Sequence, residues 1–456
     1  MKKFTIIGSG ATGTLLAVNL IKNAGNKPFE INLVEKNERI GRGVAYSAAQ
    51  DFHLLNVPAN KMGAFPDDIE HFYKWLTAKD YDFFASDFVP RKFYGEYLRE
   101  TFCEALKNKN PNVSVNLIDD EAVDILVDET QAQVILNSGE ILYSDKIILA
   151  FGNFPPPHPK SENQSFTKSE KYFQNPWSAE ILYKIEPRDD VFVIGTGLTA
   201  IDTALTLHHK QHRGKIFLFS TRGLLPSVHE LGYIYPSFEE ELKTKTRITD
   251  LLKIVRQHIK KAEKQNSNWR AVIDSLRPHT QAIWLSLPVA EKRYFMQHLS
   301  RYWNVARHRM PPECAKILDG LQTANQLQIL KGRLKNIETK ATGKFDVIFS
   351  TNGKKISLSV DAIGNCIGSE SNFSKVDFPL VKNLIGKGLI KPDVLKLGID
   401  ATTDGKTIAK CGTVSDKIFT IGTALKGILW ESTAMPEIRA QTNELALSLT
   451  DGGRRQ

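Results

Sequence analysis

Two glycine runs of matching spacing constrain this chain more than any other feature. Gly8-Ser9-Gly10-Ala11-Thr12-Gly13 follows the β-prone run Phe4 to Ile7 and opens a helical stretch, Thr14 to Lys22. A strand at Ile31 to Val34 comes next and ends in Glu35, 22 residues past Gly13. Gly-x-Gly-x-x-Gly alone arises by chance in many chains. Between a strand and a helix, with an acid at the end of the next strand, it predicts a dinucleotide-binding unit. Gly8 permits the tight turn, Gly10 lets backbone approach a pyrophosphate, and Gly13 lets helix pack on strand. Ala11 and Thr12 sit where the helix N-terminus offers free N–H groups and partial positive charge to phosphates. Glu35 is placed to accept ribose hydroxyls.

The pattern begins again at Asp190. Val191 to Ile194 reads as a strand, and Gly195-Thr196-Gly197-Leu198-Thr199-Ala200 opens the helix Ile201 to His208. Alanine in the third glycine position is allowed by the fingerprint. The following strand, Lys215 to Phe219, ends in Ser220-Thr221-Arg222 and carries no acid. Ser, Thr and Arg there suit a 2′-phosphate, with Arg222 as its clamp, so NADPH is expected over NADH. A solvated surface arginine is the plain alternative. After each fingerprint come short strands separated by turn signals: Val113 to Leu117, Ala122 to Leu126 and Gln133 to Leu136 in the first half, closing at Phe151-Gly152. Leu327 to Leu330, Leu334 to Glu338, Phe345 to Phe349 and Ile356 to Ile363 follow in the second, closing at Gly364. One architecture is used twice.

The expected fold is therefore α/β, with two Rossmann-like dinucleotide-binding domains, the second for NADPH, and a helical insertion in the second. Residues 1–155 form the first part of the first domain and 156–185 a proline-rich linker. Residues 186–366 form the NAD(P)H domain, with the insertion at about 230–325, and 367–456 return to the first domain, which the resemblance given below assigns to FAD.

Composition narrows the rest. The four cysteines, Cys103, Cys314, Cys366 and Cys411, lie at least 45 residues apart, which excludes a Cys-x-x-Cys dithiol centre and argues against a zinc site. Lys2-Lys3 before an apolar stretch resembles a signal peptide, but no small-residue cleavage site closes it. No apolar run is long enough to span a bilayer. A cytoplasmic protein with no membrane or metal partner is expected.

Further stretches carry a family resemblance: Gly41-Arg42-Gly43-Val44-Ala45-Tyr46-Ser47, Leu54-Leu55-Asn56-Val57-Pro58-Ala59, Pro90-Arg91, Asn175-Pro176-Trp177, and Gly427 to Gln441. With the two fingerprints they resemble the FAD-NAD(P)-binding flavoproteins, whose relatives include urate hydroxylases and, more distantly, ornithine and lysine N-hydroxylases. The resemblance implies FAD and NADPH as cofactors, with Arg42, Gly152, Gly422, Gly427 and Trp430 among the FAD contacts. It implies hydride transfer from NADPH to flavin, then hydroxylation of a small substrate by molecular oxygen through a C4a-(hydro)peroxyflavin. Asn56 and Trp430 are the catalytic candidates it offers. A reductase or dehydrogenase without oxygen insertion, and a redox-sensing flavoprotein without catalysis, are the alternatives. Two departures stand out. The Gly-Asp that many such flavoproteins carry late in the chain is Gly422-Thr423 here. Phe151-Gly152-Asn153 with His158 does not reproduce the Phe-x-Gly-x-x-x-His motif of ketone-oxygenating relatives, which disfavours Baeyer–Villiger chemistry.

By the same resemblance, a helix after Gly427 would point its N-terminus at the flavin, with Trp430 and Glu431 in its first turn and Pro436 kinking it. Trp430 reads equally well as a core residue. In the insertion, Ile248, Leu251, Leu252, Val255, Ile259 and Ala262 share one helical face, and a second helix is expected from Val289 to about His308. From Glu239 to Met310 there are 15 Lys plus Arg and seven Asp plus Glu, so almost all of the chain's net charge of +9 lies there. A solvated basic face accounts for this. So does an electropositive lid over the groove between the domains, with Arg301, Arg307, His308 and Arg309, interleaved with Tyr302 and Trp303, facing NADPH or an anionic substrate. Nucleic acid is not needed to explain it.

Overall fold

The computed structural model describes residues 1–36, 40–47, 50–177 and 180–450. The first fingerprint opens a six-stranded sheet. Lys2–Ile7 lies at its centre between Phe29–Val34 and Lys146–Leu149, all parallel. Val113–Ile118 extends the sheet on one side and Val414–Thr420 on the other, again parallel, and Lys406–Ile408 adds an antiparallel edge. Four consecutive residues of the first strand, Phe4 to Ile7, are buried, as a parallel strand covered on both faces requires. The helices Ala11–Lys22 and Met435–Thr450 bring Leu15, Leu16, Leu445 and Leu449 onto the same core.

The second sheet repeats this plan. Its five strands run Leu327–Lys331, Ile216–Ser220, Val191–Ile194, Ala362–Asn365 and Tyr172–Phe173, all parallel. Each occupies the place of its counterpart in the first sheet, and Tyr172–Phe173 stands where Val414–Thr420 stands there. The 156–185 stretch is therefore no bare linker. Two buried aromatic residues are too short a strand to show periodicity, and only the open edge beside Ala362–Asn365 recruits them. The proline run is pinned as well, since Asn365 Nδ2 donates to the Pro157 carbonyl at 2.9 Å. Each half also carries a three-stranded antiparallel meander: Ala122–Val127, Ala132–Leu136, Ile141–Ser144, and Arg333–Thr339, Phe345–Thr351, Lys354–Val360. The expected strands at Val113 and Leu327 belong to the parallel sheets instead.

Between Ile216–Ser220 and Leu327–Lys331 the chain forms helices Glu239–Lys243, Ile248–Lys264, Trp269–Ser275, Thr280–Ser286, Val289–His298, Ser300–Arg307 and Pro312–Thr323. The single helix expected from Val289 to His308 is two, separated by a turn at Leu299. Both pieces feed one aromatic cluster through Phe295 and Trp303. A second correction concerns the C-terminal segment. No helix begins after Gly427: residues 427–434 are turns, and the helix is Met435–Thr450. Glu431 has φ +66°, which a continuing helix excludes. Pro436 lies in the first turn, where its missing N–H costs no hydrogen bond, so it starts the helix rather than kinking it.

Candidate functional site

At the first fingerprint, φ of Gly8 is +102° and a Cβ there would strike the Ala150 carbonyl oxygen. The equivalent glycine, Gly195, has φ +136° and faces the Cys366 carbonyl in the same way. These two turns need glycine because the chain must pass the end of the neighbouring parallel strand. A Cβ on Gly13 would strike the Gly8 carbonyl, so Gly13 sets how closely helix lies on strand. Gly10 differs. A Cβ there would meet only Gly43 Cα, at 3.6 Å, an ordinary contact, so the protein itself leaves room beside this backbone. No side chain caps the helix that Ala11 and Thr12 open.

The other first-domain candidates gather around this turn. Glu35 accepts from the Ser9 N–H at 2.8 Å. Gly41 N–H donates to the Ser9 carbonyl at 2.9 Å, which lays the segment holding half-buried Arg42 against the fingerprint loop. Gly422 meets Thr12, and the Thr423 hydroxyl donates to the Gly152 carbonyl. A groove of about 920 Å³ opens here, walled by Gly8, Glu35, Phe151, Phe154 and the proline run.

At the second fingerprint, a Cβ on Gly197 would meet nothing, and the Leu198–His209 helix again starts without a side-chain cap. Leu198 and Thr199 form its first turn, and Arg222 is exposed just past the end of Ile216–Ser220. Arg222 has no protein partner among the described residues.

Three resemblance motifs converge between the domains. Arg91 Nη1 donates to buried Asp202 of the second fingerprint helix at 2.8 Å, and the half-buried Arg91 also donates from Nε to the Leu54 carbonyl at 3.0 Å. Trp177 covers the Arg91 guanidinium at 5.4 Å, and His53 pairs with Thr206 at 2.9 Å. These motifs hold one domain on the other. Asn56 lies at this seam, and its backbone carbonyl accepts from His229 Nε2 at 2.9 Å. Burial, opposed in part by that carbonyl, holds His229 down at about 4. His229 therefore stays neutral at pH 7.

Gly427, Trp430 and Glu431 sit apart from the fingerprints, against the insertion. A Cβ on Gly427 would strike the Asp393 carboxylate, and the Gly427 carbonyl accepts from Trp284 Nε1 at 3.0 Å. Trp430 is buried and stacks on Trp284 at 4.9 Å, while its own N–H has no acceptor among the described residues. Glu431 accepts from Trp303 Nε1 at 2.8 Å and from Arg307 Nε at 3.1 Å. Arg309 points elsewhere: it is 2% exposed, holding Asp274 at 2.9 and 3.0 Å and two backbone carbonyls. The basic stretch thus divides. Arg307 reaches the C-terminal segment, Arg309 is internal scaffolding, and among the described residues Arg301 bonds only the Gln297 carbonyl of its own insertion.

Sequence reasoning missed Lys426. It lies between Gly422 and Trp430, with Nζ 5.6 Å from the Trp430 ring centre, no acidic partner among the described residues, and a pKa pushed down by burial. A half-buried ammonium without an acidic partner favours an anion beside it. His308, near Arg307 and Lys426, is held at about 4 by burial first and those cations second. The only signal in the sequence was position.

Two Rossmann-like domains, each with a fingerprint turn leaving backbone bare for a phosphate, define the class: a two-domain dinucleotide-binding protein of the flavoprotein type. Residues 5–154 match the family model described as FAD-NAD(P)-binding. No curated protein sequence matches the chain. Among solved structures, an ornithine N-hydroxylase from Kutzneria sp. 744 is 14% identical, covering 100% of this chain and 99% of that one, with TM-score 0.65. The L-lysine 6-monooxygenase from Pseudomonas syringae is 15% identical over 100% of both chains, TM-score 0.65. The bacillithiol disulfide reductase from Staphylococcus aureus is 13% identical over 100% of both, TM-score 0.55. At such identities these matches establish the fold.

Proposed function

We propose that this protein is an FAD-dependent oxidoreductase that takes hydride from NADPH and acts as a monooxygenase on a small substrate. The observation that carries the reading is the pair of intact fingerprint turns, on two sheets of one plan, held together by the Arg91–Asp202 clamp. The first groove fits FAD: Gly10 and the first turn of Ala11–Lys22 would take the pyrophosphate, Glu35 the ribose, and Arg42, Thr12, Gly152 and Gly422 would flank the rest. The second fits NADPH, with Gly197, Leu198 and Thr199 at the pyrophosphate and Arg222 at the 2′-phosphate. Bound flavin supplies hydride acceptance and oxygen activation.

The chain's own residues do the rest. Lys426 brings an unneutralised positive charge to the end of the Gly422–Gly427 segment, replacing the helix terminus expected there. Trp303 and Arg307 fasten the insertion to Glu431, covering that end and excluding water. Asn56 and Trp430 remain the candidates for contact with the reacting groups. A disulfide-reducing role finds no support: all four cysteines are free, and burial pushes Cys314 and Cys366 up to about 12, far from a reactive thiolate. The localisation expected is cytoplasmic. No helix among the described residues is long and apolar enough to cross a membrane.

Anaerobic mixing with NADPH, followed by air, tests the reading. FAD should bleach with NADPH faster than with NADH, and with substrate present the peroxide released should fall below the NADPH consumed. Stoichiometric peroxide with every substrate tried would leave a reductase. Failure to bleach would leave a non-catalytic flavoprotein.

A further inference from the structure

The insertion does more than cover the site: its helices enclose a cavity of about 320 Å³. The apolar stripe of Ile248–Lys264 does not close onto its neighbours. Ile248, Leu251 and Ala262 are buried, whereas Leu252, Val255 and Ile259 are only half-buried and line the opening. Four of the chain's six tryptophans, Trp269, Trp284, Trp303 and Trp430, share the wall. Apolar surface of this extent is ordinarily buried or occupied, because leaving it in water costs about 25 cal/mol per Å².

The polar groups of the lining identify the occupant. Trp284 and Trp303 spend their N–H groups on Gly427 and Glu431, the Thr280 hydroxyl donates to the Leu276 carbonyl, and the buried Trp430 N–H is a donor without an acceptor among the described residues. Asp and Glu are absent from the lining, so a substrate ammonium would find no counter-charge. Arg256 is the single charged side chain there, exposed, and without a hydrogen-bond or ion-pair partner among the described residues. A dry apolar chamber with one free guanidinium at its exposed side matches an apolar body ending in a carboxylate. The volume lies at the small end of ligand pockets, which suits one chain rather than a two-chain lipid.

We propose that this cavity binds a free single-chain amphipathic carboxylate, with its apolar body among the tryptophans and its carboxylate on Arg256. That this ligand is the substrate oxidised rests on the function proposed above; that it binds does not. Tryptophan fluorescence of the FAD-loaded protein, titrated with dodecanoate below its micelle concentration, reads the site without turnover. Saturable quenching is expected, weaker with dodecanol. Arg256→Ala, an exposed change that leaves the fold alone, should weaken dodecanoate about fivefold and dodecanol not at all, the scale of one exposed charge pair. Val255→Phe should fill the chamber and weaken both, with FAD retention and circular dichroism confirming its fold. No saturable quenching, or equal affinity for acid and alcohol, or an unchanged Arg256→Ala, overturns the proposal. Saturable binding that Arg256→Ala weakens but that never stimulates NADPH consumption upholds the site and overturns its role as the substrate site, while the bleaching of FAD by NADPH tests the proposed function separately.

Discussion

Gly10 and Gly8 belong to one motif and do different work, and mutation separates them. A Cβ on Gly8 collides with the protein, whereas one on Gly10 enters space the protein leaves free. Gly10→Val should therefore purify folded yet colourless, and full FAD retention would remove the first groove from the assignment. Arg222→Ala should cut the preference for NADPH over NADH by about tenfold, the lower end for a charge-assisted pair at an exposed position. Steady-state kinetics with both nucleotides checks it, and little change with NADH is expected. His229 offers a pH test. Its pKa falls from an ordinary 6.5 to about 4, so the folded state holds it neutral where the unfolded chain protonates. Its contribution to stability is complete above pH 6.5 and lost as pH falls toward 4, at a cost of roughly 3 kcal/mol. Thermal unfolding of His229→Gln between pH 8 and 4 should show a shallower acid decline than wild type. A parallel decline would mean that His229 carries no linkage.

At the scale of elements, the basic helices of the insertion are held by unlike residues of one stretch. Periodicity and charge count treated Arg301, Arg307 and Arg309 alike. The fold buries Arg309 between Asp274 and two carbonyls, sets Arg307 on Glu431, and leaves Arg301 on the Gln297 carbonyl of the preceding helix. Arg309→Ala should cost about 2 kcal/mol through lost packing and hydrogen bonds, and Arg301→Ala close to nothing. Equal denaturation midpoints for the two variants would contradict this division. The expected helix after Gly427 failed for a related reason. Pro436 is compatible with a helix start as well as a kink, and the positive φ of Glu431, imposed by its pull toward Trp303 and Arg307, decided for the start.

Across the whole molecule, three of the stretches that looked like family signatures turn out to join the domains. Arg91, Leu54, His53 and Trp177 meet at the helix that the second fingerprint opens. Arg91→Ala would leave Asp202 buried without its counter-charge, at about 3–5 kcal/mol. Calorimetry is expected to show a lower first transition, with the domains unfolding separately, and a single unshifted transition would show that the seam depends on packing alone.

By itself the sequence determined the two nucleotide-binding halves, their strands and their phosphate turns. Those features follow from glycine spacing and apolar runs that act within about forty residues, where steric rules leave few choices. It also placed the Ile248–Lys264 helix and its apolar face. Only the tertiary structure decided that Tyr172–Phe173 is a strand, that Trp430 stacks in an aromatic chamber, that Lys426 lies half-buried without a counter-charge among the described residues, and that one arginine of three is scaffolding. Each depends on a partner more than a hundred residues away in sequence or on burial. Neither spacing nor composition encodes those, because the energy of a charge or a strand edge is set by what surrounds it.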